Sequence, residues 1–358
     1  MRTITTSTFR RFALAGAATA LAAGLGTAPV PAAHADRTHS ADSSSPAVGH
    51  RVSPAEQRRA ANVDVKHLER VSKPLRISER DGTAPTNVED ETDGPTVTYR
   101  GTAGEAPAGV TSHRASGNEG ALWPYANTAN PNRQVGKLYF DIDPSAAVSW
   151  KHCTATAINS ENKSTIATAG HCVYGTLSTG ARGWYQNLTF IPAFENGRAP
   201  YGQWTARYIS TTNNWFYNAS FADDAAFVAL NRDSAGVALV DRVGGHGIQF
   251  NGSTSGFKTS LGYPVTDSRW PGWTSSGNDL YYCQGDNSYY TSGPYAGTMG
   301  IYCRMTGGAS GGPWLANTSS AWMGTVTTVN SYKPNAATLF APYFGSAEQA
   351  VFQNVRAR

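Results

Sequence analysis

The sequence predicts a mostly β fold, of the sandwich or barrel kind, over residues 121–358 of the 358-residue chain. Three observations predict it. Short β-rich runs at 135–140, 155–158, 226–230 and 323–329 are each bounded by Asn, Gly, Asp or Pro. Few windows keep a helical period, and the best of them is the C-terminal 346–355. All nine Trp and all four Cys fall after residue 120, so that part holds the material of a core.

The preceding residues divide in two. Arg2, Arg10 and Arg11 precede an Ala/Leu/Gly-rich run, which Pro29 and Pro31 break ahead of Ala33-His34-Ala35. That order predicts a signal peptide over 1–35, and hence a secreted, extracellular protein. Residues 36–120 carry 24 charges in 85 positions without a Trp or Cys, too little apolar matter for an independent core. They read as a charged, poorly ordered pro-region, with one helix expected over 54–71 behind Ser53-Pro54. The mature N-terminus is expected between Arg100 and Trp123, where composition changes. A net charge of +4 gives no footprint for nucleic acid. No apolar stretch of about 18 residues follows the N-terminus, which excludes a membrane-spanning body. A monomer is expected.

Cys153, Cys172, Cys283 and Cys303 allow three connectivities, and export favours disulfides. Nearest-neighbour pairing would close two loops of about 20 residues, each stabilising by ~3 kcal/mol. His152-Cys153 with His171-Cys172 offers an alternative Cys2His2 zinc set, though not at finger spacing.

Three motifs carry chemistry. Thr168-Ala169-Gly170-His171-Cys172 follows a strand-like run and places one imidazole beside a cysteine; His152 and His246 are the other histidines after residue 120. Histidine suits a general base near neutral pH. Asp223-Asp224 precede the apolar run 225–230. A carboxylate there can orient an imidazole, cap the strand or bind calcium, and its distance from the strand favours Asp224 over Asp223. Gly307-Gly308-Ala309-Ser310-Gly311-Gly312-Pro313 frames one serine with glycines, so that the Gly308 and Ser310 N–H groups can converge as an oxyanion hole. No Lys follows these glycines, which speaks against a phosphate loop.

In the order His, Asp, Ser, these motifs resemble the chymotrypsin-like (trypsin-fold) serine endopeptidases, and are more similar to their secreted bacterial branch that includes glutamyl endopeptidases. The resemblance spans about 135–342 and extends to Cys153, which matches the cysteine paired with the one beside the family's histidine. It implies two six-stranded antiparallel barrels, about 135–242 and 243–345, with the site between them. It implies that His171 deprotonates Ser310, that Asp224 orients the imidazole, and that an acyl-enzyme forms without metal or organic cofactor. Protein or peptide substrates are implied by the same resemblance.

Two departures bear on activation and specificity. Ala309 stands where trypsin-like members carry an Asp that receives the new N-terminal amine, so activation must work otherwise, for example by unblocking the cleft. Arg304 lies six residues before Ser310, where enzymes cutting after Lys or Arg have an Asp. With Val326 and Thr327 it is the expected substrate pocket: a cation facing it would disfavour basic P1 residues and suit acidic ones. The alternative is that Arg304, next to Cys303, points to solvent. The strand 324–327 lacks the His of glutamate-specific relatives. The rival readings are a secreted aromatic-rich carbohydrate-binding protein, with Trp273, Tyr281 and Tyr282 among its aromatics, and a catalytically inactive protease-like binding protein. His246, within Gly244-Gly245-His246-Gly247, reads as a loop histidine.

Overall fold

A computed structural model describes residues 46–77, 79–85, 94–102, 118–124, 132–143, 145, 149–269, 273–317 and 324–358. The expected signal peptide and most of the expected cleavage region lie outside the described residues.

The described part of the expected pro-region, the leader, is not the poorly ordered stretch expected. It forms β1 (Ala47–Arg51), α1 (Pro54–Ala61), α2 (Val65–Val71), β2 (Lys73–Pro74), β3 (Val97–Tyr99) and β4 (Asn118–Leu122). Two helices replace the single one expected, because each has its own start signal. Ser53 Oγ accepts from Glu56 N (3.2 Å) ahead of Pro54, and Asp64 Oδ2 accepts from His67 N (3.0 Å). The leader's described residues form no separate core and join that of the barrel. Val48, Val52, Ala60 and Leu68 are buried, with β1 and α1 packed on the strands 186–192 and 204–212.

The first barrel comprises β5 (Val135–Asp141), β6 (Trp150–Ile158), β7 (Thr165–Thr168), β10 (Gln186–Pro192), β11 (Trp204–Thr212) and β12 (Ala226–Leu230), with the hairpin β8 (Tyr174–Thr176) and β9 (Arg182–Trp184) beside it. Antiparallel pairing runs β10–β5–β6–β7–β12–β11 and returns to β10, so the sheet closes. Its interior is apolar, with Leu138, Phe190, Ile166 and Val228 fully buried, while Phe227 points out of the barrel onto Phe250, Phe344 and Phe352. α3 (Asn213–Asn218) and α4 (Leu239–Val243) come after β11 and β12. β1 pairs with the distal half of β11, from Ala47↔Thr212 to Arg51↔Tyr208.

The second sheet contains β13 (Gly247–Phe250), β14 (Gly256–Gly262), β15 (Tyr281–Tyr290), β16 (Thr298–Tyr302), β17 (Pro313–Ala316), β18 (Thr325–Val329) and β19 (Thr338–Pro342). The path runs β19-β16-β15-β14-β17-β18-β13, with a parallel β13–β18 pair; the leader strands β3 and β4 join at β13 and β15. The expected C-terminal helix is α5 (Ser346–Val355), whose Glu348 carboxylate accepts from Gly345 N. His246 lies in the connection between α4 and β13, as the loop reading has it, but it is not an exposed loop residue. It is fully buried between the two sheets, its N–H bonded to Ala157 O and its C=O to Asn159 N, and burial pushes its pKa down to about 4. No helix among the described residues is long and apolar enough to cross a membrane.

Candidate active site

His171 is fixed from both sides. β7 is held between β6 and β12, the chain turns at Gly170–Cys172, and Cys172 is disulfide-bonded to Cys153 in β6. The turn must be glycine at 170, since a Cβ there would lie 2.6 Å from Trp215 Cδ1. The second disulfide joins Cys283 to Cys303. Nearest-neighbour pairing is therefore observed. A three-residue grouping of potential metal donors does exist, Cys153, His171 and Cys172, but both sulfurs are spent in the disulfide and do not fit a thiolate zinc site.

Asp224 lies just before β12, whose Ala226 pairs with Thr168 of β7, so its carboxylate falls beside the imidazole. Oδ1 accepts from His171 N (2.7 Å) and Oδ2 from His171 Nδ1 (2.7 Å). Oδ2 also accepts from Ser331 Oγ, and the carboxylate is wholly excluded from solvent. With Nδ1 donating, Nε2 carries the lone pair; it is buried and has no hydrogen-bond partner among the described residues. Asp223 instead accepts from Ser220 Oγ (2.7 Å), one turn earlier.

Ser310 is held by its neighbours' carbonyls. Thr154 N donates to Ser310 O (2.7 Å) and Thr154 Oγ1 to Gly308 O (2.8 Å). With those oxygens turned inward, the Gly308 and Ser310 N–H groups have no backbone acceptor among the described residues, as an oxyanion hole requires. Gly308 (φ +97°) and Gly311 (φ +79°) occupy left-handed backbone, and a Cβ at Gly311 would lie 2.1 Å from Thr168 Oγ1. Asn330, fully buried, clamps the loop by donating to Ala309 O (2.9 Å) and Leu261 O (3.0 Å). Ala309 packs with Met305 and Trp314 in an apolar cluster.

The expected pocket residues are not those beside Ser310. Val326 and Thr327 are buried within β18, Thr327 Oγ1 bonding to Trp314 O, and neither lines the cavity at Ser310. That cavity is walled by Met305, Thr306, Ser331, Tyr332 and Lys333, because the chain reaches the serine only beyond the end of β18. Arg304 does not line it; its N–H donates to Glu119 O, and its guanidinium acts on Lys333 through charge. Lys333 Nζ donates to Cys303 O, and burial, then the Arg304 cation, push its pKa down to about 8. No Asp or Glu among the described residues lines this cavity. Thr154, Asn330, Ser331 and Lys333 escaped sequence reasoning, since none sits in a motif.

No family model matches the chain. It is similar in structure to the protease Anisep of Arthrobacter nicotinovorans, at 35% identity and TM-score 0.55, over 64% of this chain and 97% of that one. It is similar to AL20, a thermostable serine protease from an extremophilic microorganism, at 30% identity and TM-score 0.54, over 62% and 96%. A Glu endopeptidase shares the fold at 17% identity and TM-score 0.51, over 67% and 98%. Among curated proteins an extracellular metalloprotease of Bacillus subtilis is 24% identical over 174 residues, 44% of this chain; the chain spans about half the length of that relative.

Proposed function

The chain belongs to the chymotrypsin-like serine proteases, and from that premise we propose that it is a secreted endopeptidase working through His171, Asp224 and Ser310. One observation carries the reading. The His171 imidazole is locked on Asp224 through Nδ1 with Nε2 unengaged, in the same fold as a glycine-framed serine. In the proposed reaction Ser310 Oγ attacks the scissile carbonyl and passes its proton to Nε2. The Gly308 and Ser310 N–H groups stabilise the oxyanion, and His171 returns the proton to the leaving amine. Water then resolves the acyl-enzyme by the same exchange.

We further read an acidic P1 preference, supported now by Lys333 rather than by Arg304 alone. An ammonium in the wall beside Ser310, with a second cation near and no carboxylate lining the cavity, favours an anionic side chain. The two disulfides fit an extracellular setting. A metal-dependent reading, suggested by the name of the Bacillus subtilis relative, finds no fitting donors in the disulfide-bonded cluster. The test is hydrolysis of P1-Glu, P1-Phe and P1-Arg peptides by the processed protein beside Ser310→Ala. Activity lost in the mutant and unchanged by a chelator is expected. Chelator-sensitive activity that survives Ser310→Ala would overturn the mechanism, and a preference for Arg would overturn the specificity.

A further inference from the structure

Leu75, Arg76 and Ile77 wall the cavity that holds Ser310 and also the separate cavity that holds His171 and Trp215. The leader therefore crosses the catalytic cleft. Its contacts there are specific but light. Leu75 N donates to His152 O (3.0 Å), Ser72 Oγ bonds His152 Nδ1 (3.1 Å), and β2 lies parallel to β6. Arg76 donates to Thr266 O (3.2 Å) and faces the buried Asp267 carboxylate at 3.6 Å. The segment abuts the serine loop, since a Cβ at Gly307 would lie 2.9 Å from Arg76 Cγ and 3.4 Å from Leu75 O.

Light contacts suffice because both ends are tied down. Before the crossing, Leu68 of α2 is fully buried and the Glu56 carboxylate of α1 accepts from Asn187 N (2.9 Å). After it, Thr83 N donates to Ala219 O and Phe221 N to Thr83 O, both at 2.8 Å. A segment held at both ends faces its site at high effective concentration, so it competes with substrate without a strong contact of its own.

We propose that residues 72–77 are a strap that closes the catalytic cleft, and that the docked leader is the ligand this cleft and the edge of β11 are built to hold. The proposal rests on the serine-endopeptidase reading. It gives the chain a route to latency that does not depend on an acidic residue at position 309, which is Ala.

The test is the labelling rate of Ser310 by a fluorophosphonate, with uncut and leader-cut chains resolved by mass in one sample. Uncut wild type should label more slowly than cut chain by about tenfold or more, since only the fraction with the strap displaced can react. Arg76→Glu, which turns the Asp267 contact repulsive, and Leu75→Pro, which deletes the N–H to His152 O, should each speed labelling of the uncut chain about tenfold. Equal rates for cut and uncut wild type would overturn the strap, as would two variants that label like uncut wild type. Labelling in neither form would instead overturn the serine reading on which it rests.

Discussion

Ser331 shows how one hydroxyl acts through another group. It donates to the Asp224 oxygen that holds His171 Nδ1, so it helps keep the carboxylate aligned on the imidazole as that ring takes up a proton. A hydrogen bond to a charged group contributes about 1.5–3 kcal/mol, so Ser331→Ala is expected to lower kcat at least about tenfold with KM little changed. Steady-state kinetics on one peptide checks this; an unchanged kcat would remove Ser331 from the site. Lys333 gives a pH signature. Its ammonium is the form that attracts an acidic P1 side chain, and it is lost as pH rises through a pKa of about 8 with the leader in place. Freeing the cleft rehydrates the amine, so the midpoint of the processed enzyme lies at or above that value. kcat/KM for a P1-Glu peptide should fall across it while a P1-Phe peptide does not, and Lys333→Met should erase the difference. The candidate catalytic residues His171, Asp224 and Ser310 could be proposed from the sequence because each stands in a short motif that restricts the backbone or supplies charge. Ser331 and Lys333 could not, since their roles depend on which groups the second sheet carries up against them.

Elements were legible where they own their apolar residues. The runs 135–140, 155–158 and 226–230 became β5, β6 and β12, and 346–355 became α5. β1 was not, because Ala-Val-Gly-His-Arg makes no strand by itself and takes its partner from β11. The pocket strand was misregistered by several residues, a slip that periodicity alone cannot detect. At this scale the serine loop makes a sharp prediction. A Cβ at Gly311 would meet Thr168 Oγ1 at 2.1 Å and Thr154 O at 2.3 Å, both in strands that also carry the His171 side of the site. Gly311→Ala must therefore push β6 and β7 away or leave its left-handed φ. A cost of about 3 kcal/mol is expected, with a matching fall in melting temperature and loss of activity. A variant that melts like wild type would mean that the loop yields more easily than these contacts imply.

Across the whole molecule, the leader behaves as a bound partner that happens to be covalently attached. Its charge-rich composition argues against an independent core. What composition could not reveal is that the barrel supplies the missing core. α2 sets Leu68 fully inside, and its Glu69 partly offsets the burial that pushes Lys137 of β5 down to about 7. Two consequences separate this picture from a passive tail. Leu68→Ala in the intact chain should destabilise it by about 2–4 kcal/mol, as for any core leucine, whereas a tail residue would change nothing. After a cut between leader and barrels, the melting temperature should rise with the concentration of the complex, because the leader then stabilises by mass action. The uncut chain, in which the partner cannot dilute away, should melt independently of concentration. A cut protein whose melting temperature is also independent of concentration would mean that the leader contributes no binding energy once detached.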